Sequence, residues 1–264
     1  YCWSLDHVGI MTRTVSDAAL VLQEIATPDA ADPGCERSAV DDYVAAAQAG
    51  DDLSGCRIGI PRAFFYEHVD TEIRAATERA IRFLENKGAA IKDVVLPEMT
   101  HTRTVSLTIQ MPEALSFHMP WLDERGDLYS ADFRAGLALG QNLLAEHYVS
   151  AKRMLTVYRT EVERVFEDVD ALLTPAIPAI APKLGAVSVT TEGLTEPAGN
   201  AITRFTSFFN MTGHPAVTLP SGMHSAGLPM GVQLVGRQFD EAGLLRLASI
   251  IDANPDFNVP AASV

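Results

Sequence analysis

The chain has 264 residues, of which 47% are hydrophobic and 20% are charged. These values are typical of a folded globular protein and exclude disorder, collagen-like repeats and coiled coil as its main state. Lys and Arg number 20 against 34 Asp and Glu, and the net charge of -14 opposes a surface that binds nucleic-acid phosphates. Residues 171–189 form the most apolar long stretch, but its three prolines and Lys183 argue against a membrane span.

The cysteines Cys2, Cys35 and Cys56 are odd in number and lie far apart, without the CxxC spacing of a zinc site. Neither a disulfide framework nor a metal or other cofactor is predicted, and a reducing, cytoplasmic setting is favoured. The chain opens on Tyr1, without a basic segment followed by an apolar core. We therefore expect it to be a portion of a longer protein.

The first predicted element is a helix over residues 15–26. Thr14 can cap it, with Asp17 at the third helical position, and its apolar residues recur at helical spacing. Residues 27–55 are rich in Asp, Ala, Gly and Pro, which predicts a surface connection. Within it, Tyr43–Ala47 forms one short piece with an apolar face.

A β-α-β unit follows this connection. Residues 57–61 and 90–96 predict strands, and residues 72–87 between them predict a helix that Gly88 ends. A crossover helix of this kind joins parallel strands of a sheet that helices cover. The unit therefore indicates an α/β fold.

Helical patterns dominate residues 99–168, with interruptions near Pro120 and Gly126. The last predicted helix of this block is long and covers residues 137–166. A buried strand over residues 170–174 then runs into TPAIPAIAP, whose prolines predict a stiff extended loop.

Two further core strands are predicted over residues 216–219 and 231–235, joined by the link PSGMHSAGLP. A closing helix covers residues 241–251. The predicted fold class is therefore α/β, with a mixed β-sheet flanked by helices. We find no internal repeat, and predict one α/β domain over residues 1–264.

No local catalytic motif is complete: GxSxG, the P-loop, GxGxxG and HExxH are all absent from the sequence. Ser4, Asp6 and His7 have the residue types of a triad, but in an extended segment His7 points away from the other two. Ser221 lies near His224, where Pro and Gly neighbours favour a turn. Both groups are predicted to be structural.

Other candidate side chains lie in predicted helices. His118 is predicted to be half-buried and hydrogen-bonded, and His147 has no neighbour at a metal-ligand spacing. Three phenylalanines at helical spacing fit either the core or a substrate-pocket wall. They are Phe205, Phe208 and Phe209.

Seven blocks occur in collinear order across nearly all of the chain. They are SLDHVGIMTRTVSDAALVL (4–22), LSGCRIGIPRAFF (53–65), LP (96–97), EALSFH (113–118), DALLTPAIPAIAP (170–182), FTSFFNMTGHPAVTLPSG (205–222) and GLPMGVQLVGRQFDEAGLL (227–245). Together they resemble the amidase signature family. The first block is similar to the segment that follows the catalytic serine region of that family.

The resemblance implies hydrolysis of carboxylic amides by a serine nucleophile, a second serine with a cis peptide bond and a lysine base. The sequence has no Ser-Ser pair, and its four lysines lie outside the blocks where the family places its base. In the family these residues precede the LDHVG-like segment, which places them upstream of Tyr1. The chain is thus expected to be the C-terminal half of an amidase, incomplete at its N-terminal side and inactive alone.

The resemblance also implies which residues contact a small amide substrate. The strand-end loop contributes Thr174 and Pro175, and the FTSFFNMTG segment contributes Thr206, Phe208 and Asn210. Loops at strand ends and nearby helix starts are common places for ligand contacts. No catalytic residue, metal ligand or cofactor is predicted in this chain.

Two alternatives remain open. The glutamine-hydrolysing subunit of glutamyl-tRNA amidotransferase shares these blocks but carries an acidic residue, for the glutamine amino group, where this chain has Thr203. A binding module that kept the fold and lost the chemistry is the second alternative. Because a cut sheet exposes a strand edge and core, we expect self-association, as a homo-oligomer, or a partner chain such as the missing N-terminal half.

Overall fold

The computed structural model describes residues 1–260, which divide into two compact units. Unit 1 consists of residues 1–8, 96–165 and 206–213, and unit 2 contains the rest. The last four residues of the single domain predicted over 1–264 lie outside the described part. The single-domain assignment stays a prediction, because two compact units do not show whether they fold separately.

Unit 1 contains the two longest of the described helices, of 24 and 21 residues, and both units also contain short ones. Of the described helices, none is long and apolar enough to cross a membrane. In chain order they are α1 (Val15–Ile25), α2 (Tyr43–Ala47), α3 (Arg62–Phe65), α4 (Thr71–Asn86), α5 (Thr102–Arg125), α6 (Ala131–Leu139), α7 (Ala145–Val165), α8 (Ala198–Thr203), α9 (Ser207–Thr212) and α10 (Glu241–Asp252).

Unit 2 contains a five-stranded sheet in the order β2-β1-β3-β7-β6 and a separate hairpin of β4 and β5. β1 pairs in parallel with β2 and β3, whereas β7 pairs antiparallel with β3 and β6. This confirms the predicted mixed sheet flanked by helices. The strands are β1 (Arg57–Ile60), β2 (Ala90–Asp93), β3 (Ala171–Pro175), β4 (Ser188–Thr191), β5 (Leu194–Pro197), β6 (Ala216–Met223) and β7 (Pro229–Gly236).

The predicted β-α-β unit is confirmed by β1, α4 and β2. Asp70 caps α4 by accepting hydrogen bonds from the amides of Glu72 and Ile73, and the apolar face of the helix is buried. Gly88, with φ of 102°, lies just past the helix end, where a left-handed residue favours glycine. Helices α4 and α10 both pack on the sheet.

The link predicted between the last two strands is wrong in length. β6 and β7 continue into it, and only a tight turn remains, in which the His224 amide donates to the Leu228 carbonyl at 2.8 Å. β6 is an edge strand, so Pro220 can pair with Gly231 without interrupting a second ladder. The prolines and glycines therefore mark a bulge rather than the end of the strand.

The interruption predicted near Pro120 is also wrong, because α5 passes through both Pro112 and Pro120. A proline removes one helical hydrogen bond but leaves the other side chains of the turn free to pack. Val105, Ile109 and Ala114 are buried on α5, which contacts α6 and α7. Tertiary packing outweighs the local cost.

The single helix predicted over residues 137–166 is wrong, since α6 ends at Leu139 and α7 begins only at Ala145. Gly140 lies at the break, in a short 3-10 turn. A Cβ atom there would lie 2.5 Å from the carbonyl oxygen of Met111 on α5. Because Gly140 has no side chain, the backbone at the break lies closer to the backbone of α5 than any other residue would allow.

The hairpin of β4 and β5 was not predicted from the sequence. Its turn residues Glu192 and Gly193 both have positive φ, at 46° and 82°, as the tight hairpin turn requires. The hydroxyl groups of Thr190 and Thr195 lie 2.9 Å apart across the strands. Glu-Gly is a weaker turn signal than Asn-Gly or Asp-Gly, which is why the sequence pattern missed it.

Asp170 binds two arginines where β3 begins. We expect this pairing to make the free energy of unfolding fall as the pH becomes acidic. Its carboxylate accepts from Arg57 and Arg237, each at 2.8 Å, and the hydrogen bond from Arg57 holds its pKa below the ordinary value despite partial burial. Since the folded pKa lies below the unfolded one, the stabilisation is present above the unfolded pKa and is lost as pH falls through the folded value. Asp170→Asn should lower the free energy of unfolding at pH 7 by about 1 kcal/mol, because all three side chains are partly solvated.

Urea unfolding at pH 7 and pH 3 tests this expectation. The Asp170→Asn variant should lose less stability between the two pH values than the parent chain does. An equal loss in both chains would contradict a role for Asp170 in the acid dependence.

Candidate functional site

The opening segment of unit 1 forms a turn, which corrects the extended conformation assumed for Ser4, Asp6 and His7. The amides of Leu5 and Asp6 both donate to the carbonyl of Cys2, at 3.2 and 2.9 Å. The Asp6 carboxylate in turn accepts from the Cys2 amide at 2.9 Å. His7 contacts the Leu5 carbonyl rather than a serine. The three residues do not form a triad.

Glu113 on α5 accepts hydrogen bonds from this turn and from α7. One carboxylate oxygen accepts from the Ser4 hydroxyl at 2.7 Å and from the Tyr148 hydroxyl at 2.8 Å. The other accepts from the Ser4 amide at 2.9 Å and from the Cys2 thiol at 3.1 Å. We call Cys2, Ser4, Glu113 and Tyr148 the Glu113 network.

In the Glu113 network, Glu113 is favoured in its ionised form and its donors Cys2 and Tyr148 in their neutral forms. Burial acts to raise the pKa of Glu113, but the hydrogen bonds from Ser4, Cys2 and Tyr148 outweigh it, and the pKa lies below its ordinary value. Burial and the neighbouring Glu113 raise the pKa of Cys2 and of Tyr148, each to about 12. Cys2 is therefore a protonated thiol at neutral pH, and a protonated thiol is a poor nucleophile.

The Glu113 network borders a cleft of about 500 Å³ in unit 1, a volume within the range of small-molecule sites. Aromatic and apolar side chains form most of its walls, and Asp6 and Glu113 supply two carboxylates. Trp3 is 80% exposed, so its indole is accessible from solvent. The walls comprise Tyr1, Cys2, Trp3, Asp6, Pro112, Glu113, Ser116, Phe117 and Tyr148.

The predicted contact residues Thr174 and Pro175 lie at the end of β3 in unit 2. Both are buried, and the Thr174 hydroxyl accepts a hydrogen bond from the Gln233 amide at 3.1 Å. Pro175 pairs with Val232 on β7. Their contact with substrate stays a prediction.

Thr206, Phe208 and Asn210 lie at or within α9 in unit 1. Phe208 is fully buried, with its ring centroid 5.6 Å from that of Tyr158 on α7. Thr206 is half-buried and Asn210 is exposed. The structure places Phe208 in the core of unit 1, and substrate contact by all three residues stays a prediction.

The histidines singled out in the sequence have structural neighbours. His118 is half-buried and hydrogen-bonded to the Tyr129 hydroxyl at 3.1 Å, as predicted. His147 is exposed on α7. His224 lies 3.3 Å from the carboxylate of Glu72, beside the β6–β7 turn. Within residues 1–260, no cluster of His, Cys, Asp or Glu is arranged to hold a metal ion.

Sequence reasoning missed the Glu113 network. Glu113 stands out in the sequence only as the start of the EALSFH block, and no pattern gives Tyr148 a role. Cys2 and Ser4 lie 111 and 109 positions from Glu113 along the chain. No spacing rule links residues so far apart, and only the shared resemblance blocks around Ser4 and Glu113 marked the region.

Unit 2 has an α/β fold and unit 1 has a cleft of small-molecule size, and a comparison of sequences assigns the family. The family model named Amidase matches residues 1–245. The chain belongs to the Amidase family.

Two similar relatives differ in their described functions. The chain is 38% identical over 245 residues to an amidase of Pseudomonas putida, and the match covers 92% of this chain and 52% of the relative. It is 37% identical over 279 residues to a glutamyl-tRNA(Gln) amidotransferase subunit of Myxococcus xanthus, covering 96% and 56%. The chain thus spans about half the length of these relatives.

Solved structures agree with the fold. A structure described as a vestigial protein complex revealing the origins of an s-triazine catabolic enzyme superimposes with a TM-score of 0.86 at 28% identity, covering 94% of this chain and 53% of that one. A glutamyl-tRNA(Gln) amidotransferase subunit of Thermotoga maritima gives a TM-score of 0.76 at 25% identity, covering 96% and 54%.

Proposed function

We propose that the protein hydrolyses carboxylic amides to an acid and ammonia or an amine, and that its nucleophile and base lie outside these 264 residues. The carrying observation is the Glu113 network. Cys2, which lines the cleft, and Ser4 beside it both donate to Glu113, through the thiol and the hydroxyl. A serine nucleophile needs a neighbour that removes its proton, and Glu113, which already accepts four hydrogen bonds and has a pKa below its ordinary value, is a weak base for that step.

Two of the four lysines give further support, because their ammonium groups are paired with carboxylates. Lys87 pairs with Asp51, and Lys92 pairs with Asp168 at 2.8 Å. In the part of the chain that the structure describes, no serine hydroxyl is hydrogen-bonded to a lysine or a histidine. This chain then contributes fold and pocket, and a polypeptide carrying the serines and the lysine completes the enzyme.

The proposal extends to substrate, setting and association. The substrate is a small amide, and the contacts that the resemblance implies for Thr174, Pro175, Thr206, Phe208 and Asn210 stay predictions. The enzyme is cytoplasmic and needs no metal or cofactor. The chain associates with the missing half, as a partner or in one polypeptide, or with copies of itself.

A glutaminase of the amidotransferase kind is the alternative that the Myxococcus relative favours. Thr203, at the position where the resemblance expects an acid, is neutral, and its hydroxyl donates to the Gly199 carbonyl at 2.8 Å. A neutral side chain gives the glutamine ammonium no charge partner. Simple amides are therefore favoured over glutamine.

Fluorophosphonate labelling with parallel assays of ammonia release tests the proposal. The 264-residue chain should neither be labelled nor release ammonia from aliphatic amides, aromatic amides or glutamine. The full polypeptide that its gene encodes should be labelled at one serine and hydrolyse simple amides. Stoichiometric labelling of the short chain with turnover would overturn the placement of the nucleophile, and a gene product without any hydrolysis would favour a binding module.

A further inference from the structure

The Glu113 network joins three segments of unit 1 through one side chain. Ser4 and Cys2 come from the opening turn, Tyr148 comes from α7, and Glu113 itself lies on α5. A carboxylate has about four acceptor sites, and these four donors fill them. Glu113 therefore has no free site for a ligand in the cleft.

The opening turn carries Trp3, which lies between the two residues that Glu113 binds. Its indole is 80% exposed and lines the cleft, so few packing contacts fix its position. The hydrogen bonds from Cys2 and Ser4 to Glu113 tie the backbone on either side of Trp3 to α5, in addition to the hydrogen bonds within the turn. Loss of these bonds would release the wall, while leaving the core residues of α5 in place.

We propose that Glu113 is a positioning residue: its carboxylate fixes the turn of residues 2–4, and with it the indole of Trp3, as one wall of the cleft. Aromatic side chains fixed in this way suit the apolar group of an amide, with Phe117 as a second aromatic side chain lining the cleft. The effect on substrate rests on the proposed function, whereas the effect on Cys2 and Trp3 does not.

The first test measures the charge of Glu113 through Cys2. In a chain with Cys35→Ser and Cys56→Ser, the Cβ resonance of [3-13C]cysteine reports whether the Cys2 thiol is protonated. Burial and the Glu113 carboxylate raise the pKa of Cys2 to about 12. Glu113→Gln removes the negative charge, and the titration midpoint of the Cys2 thiol should fall. A folded Glu113→Gln chain that titrates like its parent would overturn the proposal.

Glu146→Gln is the matched control, because Glu146 is an exposed carboxylate on α7 outside the cleft. It makes the same change of charge and should leave the Cys2 midpoint unchanged. An equal fall in both variants would mean that the net charge of the chain, and not the Glu113 network, determines the pKa of the Cys2 thiol. That result would also overturn the proposal.

The second test measures the wall itself and remains available if Glu113→Gln does not fold. With Trp121→Phe as background, fluorescence anisotropy reports the motion of Trp3 alone, since the chain has 2 tryptophans. Ser4→Ala removes one donor and Tyr148→Phe another, and anisotropy should fall in the first variant at least. Unchanged anisotropy in Ser4→Ala and in Glu113→Gln, where that folds, would overturn the proposal.

The active enzyme gives the third readout. Ser4→Ala should raise KM for an aromatic amide by about fivefold and change kcat less than twofold, as expected for lost substrate binding. A fall in kcat alone would contradict a positioning role. If no amide is hydrolysed, the proposed function fails, while the Cys2 and Trp3 measurements still decide the role of Glu113.

Discussion

Phe208→Ala is expected to lower the free energy of unfolding of the chain by about 3–5 kcal/mol. Phe208 is fully buried on α9, and its ring meets those of Tyr158 and Phe209 edge to face, with centroids 5.6 and 5.4 Å away. The loss combines the transfer of the ring with the cavity left between α7 and α9. Urea unfolding followed by circular dichroism measures the change.

Asn210→Ala is the control for Phe208, because Asn210 lies on the same short helix with an exposed side chain. Its unfolding free energy should stay within about 0.5 kcal/mol of the parent value. If Phe208→Ala lowers the free energy of unfolding by less than about 1 kcal/mol, the core position is contradicted and a pocket-wall role for Phe208 is favoured. The pair thus separates the two interpretations that the phenylalanine spacing left open.

Gly140→Ala is expected to lower the free energy of unfolding of the chain by about 2–3 kcal/mol. The added Cβ would lie 2.5 Å from the carbonyl oxygen and 2.9 Å from the carbonyl carbon of Met111, and 3.2 Å from the Cβ of Leu115. The first two atoms belong to backbone, which cannot turn aside as a side chain can. Either α5 or the turn after α6 must move, and thermal and urea unfolding both measure the cost.

Gly136→Ala, in a neighbouring helical turn, is expected to raise the free energy of unfolding, where Gly140→Ala lowers it. Gly136 lies inside α6, and a Cβ there meets nothing within 4 Å. Alanine in a helix interior is favoured over glycine by about 1 kcal/mol, so this variant should be more stable than the parent. Equal effects at Gly136 and Gly140 would show that helix propensity, and not the close approach to Met111, governs this region.

Local pattern predicted most of the elements. The capped helix after Thr14, the crossover helix before Gly88 and the strand that follows Asp170 all have their signal within one element: a cap, an apolar period or a buried run. The structure confirms these elements within a few residues. The order of resemblance blocks likewise predicted the family that the comparison assigns.

Three features required the tertiary structure. The break at Gly140 depends on Met111 of another helix, and the continuation of β6 through Pro220 depends on its place at the sheet edge. The Glu113 network depends on donors from the opening turn and from α7. Length, composition and periodicity determined by themselves that this chain is a cored α/β protein, and the resemblance blocks that it is of the amidase type, because those signals are local. Which side chains share a cleft was decided only by packing, because hydrogen bonds across more than a hundred residues leave no period in the sequence.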